Sequence, residues 1–534
     1  MSYVVGIDLG TSNTCVSVVL DGEPRIVTDE RGRSTTPSVL ALNRDGKFLV
    51  GHLAKAQMVT NPYGTICSAK RLIGQKFSSN NVQQALRYLP FNVVQAPDGT
   101  PLCEIGGRRL TPVDVAVAVI KKVKRLAERA LDEEITQAVI TVPAHFDNSQ
   151  RRETKRAAER AGLEVLRLIN EPTAAALAYG YGSGARQTIA VYDYGGGTFD
   201  ISILEIGENV FEVLSTGGDS YLGGDDFNQR IANYLAKHLK ETTGVDIAFD
   251  RMAMQRLLDA AELAKVRLST EESTEIRLNR VAPNVDQSVN LYTRLTRDQI
   301  EDMCIDLVER SLEICDKTFE SARVGLHEID KFILVGGMTR MPLIRRLAEE
   351  YFGQEAAASV NPDEVVATGA SIQAATLVDP QEEVLLLDVT PLTLGIRSLN
   401  DIFTPIIKQN TKVPHRVSKR FTTSRDNQDR VRIEIYQGEE RYCKDNTLLG
   451  EFDLVGISQA PRMVPQIDVT FKIDANGILS VTARDQASQA AESIQIVDMA
   501  KRALDDVLGH ETEDDGYGVE NYFEDPDDSP SFDY

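Results

Sequence analysis

Two hairpin patterns of apolar and polar residues occur in the chain, one near its start and one near its middle. Residues 3–9 and 15–20 are strand-like, and a Gly-Thr-Ser-Asn turn lies between them. The same order recurs at 188–194 and 199–206, around a Gly-Gly-Gly-Thr turn. The two copies begin a whole domain's length apart, which is too long for a solenoid repeat. The repetition therefore predicts a duplicated α/β lobe.

Segments with helical periodicity follow both hairpins and alternate with apolar strands. The helical patterns lie at 111–130, 149–161 and 252–268. The apolar runs at 138–143 and 332–337 are typical of strands that are buried on both faces. This alternation continues to about residue 375 and predicts buried sheets flanked by helices.

The pattern changes after residue 380. Short alternating strands with turn signals run from 391 to about 496, where helical periodicity is nearly absent, and they predict an all-β domain. The apolar run VLLLD lies in the connection before them. We therefore expect five segments: an α/β domain at 1–380, a linker at 381–390, a β-sandwich at 391–497, a short amphipathic helix at 498–508 and a disordered acidic tail at 509–534.

Composition narrows the classes of protein. The 534 residues are 42% hydrophobic and 26% charged, and the formal net charge of −22 argues against a nucleic-acid-binding protein. No run of about 18 apolar residues predicts a membrane span, and no secretory signal pattern opens the chain. Six scattered cysteines favour free thiols in a reducing, cytoplasmic environment. Metal hydrolase and redox classes are not supported, because no Cys-x-x-Cys or His-Glu-x-x-His pattern occurs.

The two hairpin turns carry the candidate chemistry. Each follows an aspartate, as Asp-Leu-Gly-Thr at 8–11 and as Asp-Tyr-Gly-Gly-Gly-Thr at 193–198. Glycine lets backbone N–H groups approach a phosphate, and carboxylates hold Mg²⁺ mostly through water. One such turn alone would more often be an ordinary hairpin. Two copies, together with a glycine pair at 336–337 after a buried strand, favour a triphosphate site with Asp8 and Asp193 on the Mg²⁺ side.

Five motifs in register resemble the heat-shock protein 70 chaperones of the DnaK type, and the match runs from residue 3 to about 497. They are GIDLGTSN at 6–13, NEPTAAALAYG at 170–180, DYGGGTFDIS at 193–202, LVGGMTRMP at 334–342 and VLLLDVTPLTLGI at 384–396. The resemblance implies an actin-like, duplicated ribonuclease-H-like ATPase domain that is followed by an all-β peptide-binding sandwich. It also implies ATP or ADP and Mg²⁺ as cofactors.

The resemblance assigns roles to residues of the nucleotide site. Lys70 matches a lysine that reaches the γ-phosphate and the attacking water, although a solvated surface lysine is the plainer interpretation without the resemblance. The other matched catalytic residues are Asp8, Glu171, Asp193, Thr198 and Asp200, of which Asp8, Glu171 and Asp193 would hold Mg²⁺ mainly through water. The matched nucleotide-binding residues are Gly10, Thr11, Ser12, Asn13, Gly195, Gly196, Gly197, Glu262, Lys265, Ser269, Gly336, Gly337, Arg340 and Asp363.

Further matches concern coupling and peptide binding. The coupling positions are Pro143, Arg151, Arg167, Leu386 and Asp388, and the apolar linker is also typical of an ordinary buried strand. The peptide-binding positions are Ile396, Leu399, Ile402, Phe421, Ser424, Val431 and Ile433, with Leu399 and Ser424 placed to arch over the bound chain. For Phe421 and Ile433 the ordinary core of a sandwich is an equally good interpretation.

We therefore expect an ATP-dependent chaperone, active in protein folding and the stress response, that binds extended hydrophobic segments of unfolded proteins. The resemblance implies a J-domain co-chaperone and a nucleotide exchange factor as partners, and neither nucleic acid nor membrane is expected. A nucleotide-gated adaptor for one dedicated partner, an actin-superfamily small-molecule kinase and a filament-forming protein remain alternatives. The chain departs from the family after residue 497, where a helical lid usually follows, so we also expect a truncated lid.

Overall fold

The computed structural model describes residues 3–495, except for 87, 183, 283–288, 359–360 and 380–383. The expected helix at 498–508 and the expected tail at 509–534 lie outside the described residues, as does the first part of the expected linker. None of the helices in the described ranges combines the length and the apolar character that crossing a bilayer requires.

The first part of the chain contains one large mixed sheet, in the order β12-β11-β1-β2-β3 with β4 beside β2, and two small sheets, β6-β5-β7 and β10-β9-β8. Its strands and helices are β1 (Val4–Leu9), β2 (Asn13–Leu20), β3 (Glu23–Ile26), β4 (Thr35–Pro37), β5 (Leu40–Leu42), β6 (Phe48–Val50), α1 (His52–Ala56), β7 (Thr65–Ile66), α2 (Asn80–Ala85), β8 (Asn92–Gln95), β9 (Pro101–Ile105), β10 (Arg108–Leu110), α3 (Pro112–Leu131), β11 (Gln137–Val142), α4 (Asn148–Arg160), β12 (Glu164–Asn170) and α5 (Glu171–Gly180).

The second part repeats the large sheet in the order β18-β13-β14-β15 and adds the hairpin β16-β17. Its strands and helices are β13 (Gln187–Tyr194), β14 (Phe199–Gly207), β15 (Val210–Asp219), α6 (Gly224–Thr243), α7 (Arg251–Leu268), β16 (Ser273–Leu278), β17 (Leu291–Thr296), α8 (Arg297–Ala322), β18 (Lys331–Val335), α9 (Pro342–Phe352) and α10 (Val365–Val378). In both sheets the hairpin pairs antiparallel with itself and parallel with a later strand, so the repeat expected from the sequence is present in the strand pairing.

The third part is all-β apart from short 3-10 turns at Leu399–Asp401 and Cys443–Asp445. Two sheets of four strands, β21-β20-β24-β25 and β23-β26-β27-β28, enclose an apolar core that includes Leu394, Ile435 and Phe471. The strands are β19 (Leu385–Val389), β20 (Leu394–Arg397), β21 (Phe403–Ile407), β22 (Lys412–Val413), β23 (His415–Phe421), β24 (Arg430–Gln437), β25 (Thr447–Val455), β26 (Ile467–Ile473), β27 (Leu479–Asp485) and β28 (Ala491–Gln495).

The linker forms a strand rather than a loose connection. Its strand β19 pairs parallel with β15 of the second large sheet and antiparallel with β22 of the third part. The side chain of Leu386 is 4% exposed and packs into the apolar core shared by α5 and α10. An ion pair between Lys412 and Glu212 lies beside this junction. The linker therefore extends a sheet of the first domain into the β-sandwich.

Small residues let the two lobes pack closely at the crossing of α5 and α10. A Cβ added at Gly369 in α10 would lie 1.7 Å from the Ala174 carbonyl oxygen in α5. A Cβ at Gly6 in β1 would lie 2.1 Å from the Ser371 backbone nitrogen. Because protein interiors are closely packed, neither contact can be relieved without moving backbone.

We expect Gly369→Ala to lower the free energy of unfolding of the first domain by about 3 kcal/mol, because α5 and α10 must separate. Gly180→Ala is the matched control, since its Cβ would meet only the ends of the Ile206 and Phe211 side chains. The gain in helix propensity, about 1 kcal/mol, offsets much of that smaller cost. Thermal unfolding measures both variants, and equal stability of the two would contradict this account of the crossing.

Candidate nucleotide site

The two glycine turns pack directly against each other. A Cβ at Gly196 would lie 2.0 Å from the Ser12 hydroxyl oxygen, and one at Gly197 would lie 2.7 Å from the Thr11 side chain. The Gly195 N–H donates to the Thr198 carbonyl oxygen at 2.9 Å and closes the second turn. The hairpin β1-β2 and the hairpin β13-β14 thus bring their turns together from sequence positions far apart. Glycine at 196 and 197 therefore allows this close approach, since a Cβ at either position would displace the side chain of Ser12 or Thr11.

The turns border a cavity of about 360 Å³ between the lobes, which is within the range of small-molecule sites. The expected site residues that line it are Asp8, Gly10, Thr11, Ser12, Asn13, Lys70, Glu171, Asp193, Gly195, Gly196, Thr198, Glu262, Lys265, Gly336, Gly337 and Asp363. Four expected residues are not part of this lining, namely Gly197, Asp200, Ser269 and Arg340. The sequence patterns therefore converge on one cavity.

Acidic side chains crowd the inner end of the cavity around one lysine. The Lys70 ammonium group contacts the Glu171 carboxylate at 2.8 Å, and both side chains are buried. Burial, then the charge of Glu171, raises the pKa of Asp8 to about 7. The same two causes raise the pKa values of Asp193 and Asp200 well above their ordinary range. This end of the cavity carries more negative charge than Lys70 alone can balance.

The crowded carboxylates fit a divalent cation that is held through water. The Thr141 hydroxyl donates to Asp8 at 2.9 Å, and the backbone N–H of His145 donates to Asp200 at 3.0 Å, so both carboxylates are held in place. Among the described residues, no group of three or more acidic, His or Cys side chains is arranged to ligate a metal directly. Mg²⁺ keeps several of its waters in protein sites, and Asp8, Glu171 and Asp193 would hold it in that form.

The opposite side of the cavity is formed by α7 and by the loop after β18. Glu262 forms an ion pair with Lys55 at 2.7 Å across the opening between the lobes. Lys265 donates to the Gly224 carbonyl oxygen at 3.1 Å, and burial lowers the pKa of Lys265. Arg340 forms an ion pair with Asp363 at 2.6 Å. These groups offer hydrogen-bond partners for a base and a sugar.

Two of the expected residues that do not line the cavity contact residues that do. The Ser269 hydroxyl donates to the Lys265 carbonyl oxygen at 3.1 Å at the end of α7. Asp200 lies opposite Asp193 in the β13-β14 register and is 1% exposed. Both therefore act on the cavity through a neighbour in this structure.

Sequence reasoning missed Arg71, the residue next to Lys70. Its guanidinium donates to the Gly197 carbonyl oxygen at 3.0 Å and forms an ion pair with Asp226 at 2.6 Å. Arg71 thereby joins the small sheets of the first lobe to the second glycine turn. The Lys-Arg dipeptide at 70–71 was the only local signal, and a basic dipeptide is too common to identify such a contact.

The coupling positions meet at the start of α5. The Arg151 guanidinium donates to the Asn170 amide oxygen at 2.7 Å. The Asn170 amide nitrogen donates to both oxygens of Asp388 at 2.9 Å, and the Thr173 hydroxyl donates to the same carboxylate at 3.2 Å. Burial raises the pKa of Asp388. The linker carboxylate is thus bound one residue before Glu171, which lines the nucleotide cavity.

Pro143 and Arg167 lie on either side of this junction. Pro143 follows the last residue of β11 and is buried, and the Arg151 side chain donates to the nearby Ala144 and Phe146 carbonyl oxygens. Arg167 in β12 donates to the Leu386 carbonyl oxygen at 3.5 Å. All five expected coupling residues therefore lie at or beside the linker junction.

The sandwich also contacts the first domain away from the linker. The Leu479 N–H donates to the Asn148 amide oxygen at 2.8 Å, and the Leu168 N–H donates to the Asn476 amide oxygen at 2.9 Å. A cavity of about 30 Å³ lies between the domains, and the unpartnered buried Asn148 amide nitrogen and Gln437 amide oxygen belong to residues that line it. Sequence reasoning did not identify these contacts, since single Asn and Gln residues carry no motif.

The expected peptide-binding positions differ in exposure. Leu399 is 74% exposed and Ser424 is also exposed, as residues that arch over a bound chain would be. Ile396 and Ile433 are buried and belong to the sandwich core. The remaining positions are partly buried, and they are Ile402, Phe421 and Val431. Four of the seven positions, Ile396, Phe421, Val431 and Ile433, therefore lie in or against the sandwich core, whether or not they also line a peptide channel.

The duplicated α/β sheets, the facing glycine turns and the acidic cavity define a nucleotide-binding protein that is joined through a strand to a β-sandwich. The family model described as Hsp70 protein matches residues 4–515 of the 534 residues. The chain belongs to the Hsp70 family. The general properties of that family are ATP-dependent chaperone activity, hydrolysis of ATP, generally with Mg²⁺, and the binding of unfolded polypeptides and co-chaperones.

Proposed function

We propose that ATP hydrolysis in residues 1–380 controls the binding and release of extended hydrophobic peptide segments in the β-sandwich at 391–497. The observation that carries this proposal is the position of Asp388. Its carboxylate is bound by Asn170, and the next residue, Glu171, pairs with Lys70 inside the nucleotide cavity. A change at the phosphates therefore alters the contacts of the linker, because Asn170 and Glu171 are adjacent residues at the start of α5.

The residues of the cavity have distinct roles in this proposal. The glycine turns bind phosphate oxygens through backbone N–H groups, and the hydroxyls of Thr11 and Thr198 lie in the same turns. Bound Mg²⁺ supplies charge neutralisation for phosphoryl transfer. Lys70 stabilises negative charge that develops at the transferred phosphoryl group, and Glu171 fixes the lysine side chain by their ion pair. The Asp193 carboxylate, which lines the cavity, helps to orient the attacking water, and Asp200 supports Asp193 from the opposite position in the β13-β14 register.

The sandwich binds a peptide by a mode that tolerates many sequences. An extended chain offers backbone hydrogen bonds at regular intervals, and a pocket accepts one apolar side chain. Leu399 and Ser424 cover this chain from two loops, β20-β21 and β23-β24. Val431 and Phe421 line the pocket, since both are partly buried at the edge of the core. The proteins that the sandwich binds are therefore unfolded segments. J-domain and exchange-factor partners act on the nucleotide state of the first domain.

We expect Asp388→Asn to remove most of the stimulation of ATP turnover by peptide, while basal turnover and each domain's fold persist. An amide at 388 accepts one hydrogen bond less from Asn170 and loses its charge interaction with the neighbouring Arg151. A signal needs contacts that differ in free energy between two states, and this change reduces that difference. Steady-state ATP turnover with and without a peptide of unfolded sequence measures the effect.

Asp445→Asn is the matched control, because Asp445 is exposed in a turn of the sandwich. Full peptide stimulation in Asp388→Asn would contradict the proposed path. A second result discriminates the alternative of a dedicated adaptor, which would bind one partner and show no stimulation by unrelated unfolded peptides even in the unchanged chain.

A further inference from the structure

One face of the sandwich carries a concentration of positive charge. The outward residues of the sheet β23-β26-β27-β28 include Arg416, Arg420, Lys472 and Arg484, all of them exposed, and we call these four residues the basic face. They share this face with hydroxyl residues such as Ser418 and Thr470, which contact each other at 2.7 Å. Asp468 is the one acidic residue that the described part of β23, β26 and β27 places on this side.

The internal contacts of the basic face leave it short of negative charge. Arg416 lies directly opposite Lys472 in the register of β23 and β26, and like charges in that position repel each other. Asp468 lies opposite both Arg420 and Arg484, and it forms an ion pair with Arg420 at 3.0 Å. The described part of the face therefore contains one carboxylate for four cations. The chain as a whole has a net charge of −22, so this excess is opposite in sign to the rest of the protein.

A segment of complementary charge follows the same sheet in the sequence. The last described strand, β28, pairs with β27 at the edge of this sheet, and the chain continues from there to residue 534. Residues 511–533 contain ten Asp or Glu and neither Lys nor Arg. An extended chain spans about 3.3 Å per residue, whereas four strands are only about 15 Å wide. The acidic segment is therefore long enough to reach every cation of the face.

We infer that the basic face is the binding surface for the chain's own acidic segment, residues 511–533. The interaction is electrostatic and intramolecular, so a high effective concentration compensates for weak individual contacts. It should weaken as salt is added, because exposed charges are screened over about 10 Å at 0.1 M ionic strength. The surface of helix α4 is less suited, since it pairs Lys155 with Glu159 and Arg156 with Glu153.

Zero-length cross-linking of the intact chain tests this inference, because a carbodiimide joins a lysine to a carboxylate only when the two are in contact. Lys472 is the reporter on the basic face. We expect cross-links from Lys472 to carboxylates within 511–533 at low salt, and a loss of most of the yield at 0.5 M salt. Mixing isotope-labelled with unlabelled chains distinguishes cross-links within one chain from cross-links between two chains.

The double variant Arg416→Gln/Arg484→Gln keeps the reporter and removes two cations. We expect its cross-link yield to fall about five- to tenfold, because two exposed ion pairs between the face and the acidic segment are lost. The control Arg152→Gln/Arg156→Gln removes the same net charge from α4 and should leave the yield unchanged. Thermal unfolding followed by circular dichroism checks that both variants are folded.

Three results would overturn the inference. The first is a preference of the acidic segment for lysines elsewhere, such as Lys121 or Lys155. The second is cross-linking of Lys472 only between different chains, which would indicate a partner surface instead. The third is an equal yield in the two double variants.

Discussion

Lys70→Ala should lower the single-turnover rate of ATP hydrolysis by at least about a hundredfold, the usual cost of removing one group that stabilises transition-state charge. Lys70 is the cation that contacts Glu171, among carboxylates whose pKa values are raised by burial and by one another. Nucleotide binding should largely persist, because the glycine turns and the α7 side of the cavity are unchanged. Rapid-mixing single-turnover assays and equilibrium nucleotide binding measure the two effects separately.

Lys55→Ala is the matched control for this prediction. Lys55 lines the same cavity, but its side chain is 39% exposed and pairs with Glu262 at the opening. Its removal should alter nucleotide affinity or release and leave the chemical step nearly unchanged. A turnover rate for Lys70→Ala equal to that of the unchanged chain would exclude the assigned role.

The same cluster predicts opposite effects on stability for two catalytic variants. Lys70→Ala leaves Glu171 buried without its cation, which costs about 3 kcal/mol or more in the nucleotide-free protein. Asp8→Asn removes a buried negative charge that lies near Glu171, and should stabilise the nucleotide-free protein while still slowing hydrolysis. Thermal unfolding without nucleotide gives the sign of each change. Destabilisation by Asp8→Asn would show that the carboxylates are not in electrostatic conflict.

Val431→Phe should weaken peptide binding by at least about a hundredfold while the sandwich stays folded. Val431 lies in β24 opposite Leu454 and is partly buried beside the core. A phenylalanine there would fill the pocket that accepts the apolar side chain of a peptide. Forcing a peptide side chain into the filled pocket would raise the free energy of the bound state by about a further 1–3 kcal/mol. Fluorescence anisotropy of a labelled peptide with ADP measures the affinity.

Val455→Phe is the control for the pocket variant. Val455 ends β25, is 44% exposed and receives the same substitution outside the core. Peptide affinity should be unchanged in this variant, and basal ATP turnover should be unchanged in both. Normal peptide affinity in Val431→Phe would place the pocket elsewhere and leave Val431 as an ordinary core residue.

The sequence predicted most of the elements because their patterns are local. The hairpin strands expected at 188–194 and 199–206 are observed as Gln187–Tyr194 and Phe199–Gly207. The long helix expected at 111–130 is observed as Pro112–Leu131, with a capping box at Thr111. Alternation, capping residues and glycine turns act over a few residues, so a single sequence is enough to identify them.

Sequence patterns alone could not predict the contacts between distant segments. Lys70 and Glu171 are separated by 101 residues, and their pairing depends on how the two small sheets pack on the first large sheet. The contact of Asn148 with Leu479 spans 331 residues and depends on how the two domains meet. Such contacts follow from three-dimensional packing, and the residue types involved are common on any surface. The family resemblance supplied the roles that the local patterns could not.

Release of a labelled peptide, followed by stopped-flow fluorescence with ADP and with ATP, tests most directly the coupling of the nucleotide site to the sandwich. The proposal predicts that ATP speeds release at least about tenfold, since nucleotide-dependent affinity changes of this kind appear mainly in the dissociation rate. Asp388→Asn should bring the two rates close together. Equal release rates with ADP and ATP in the unchanged chain would contradict the account.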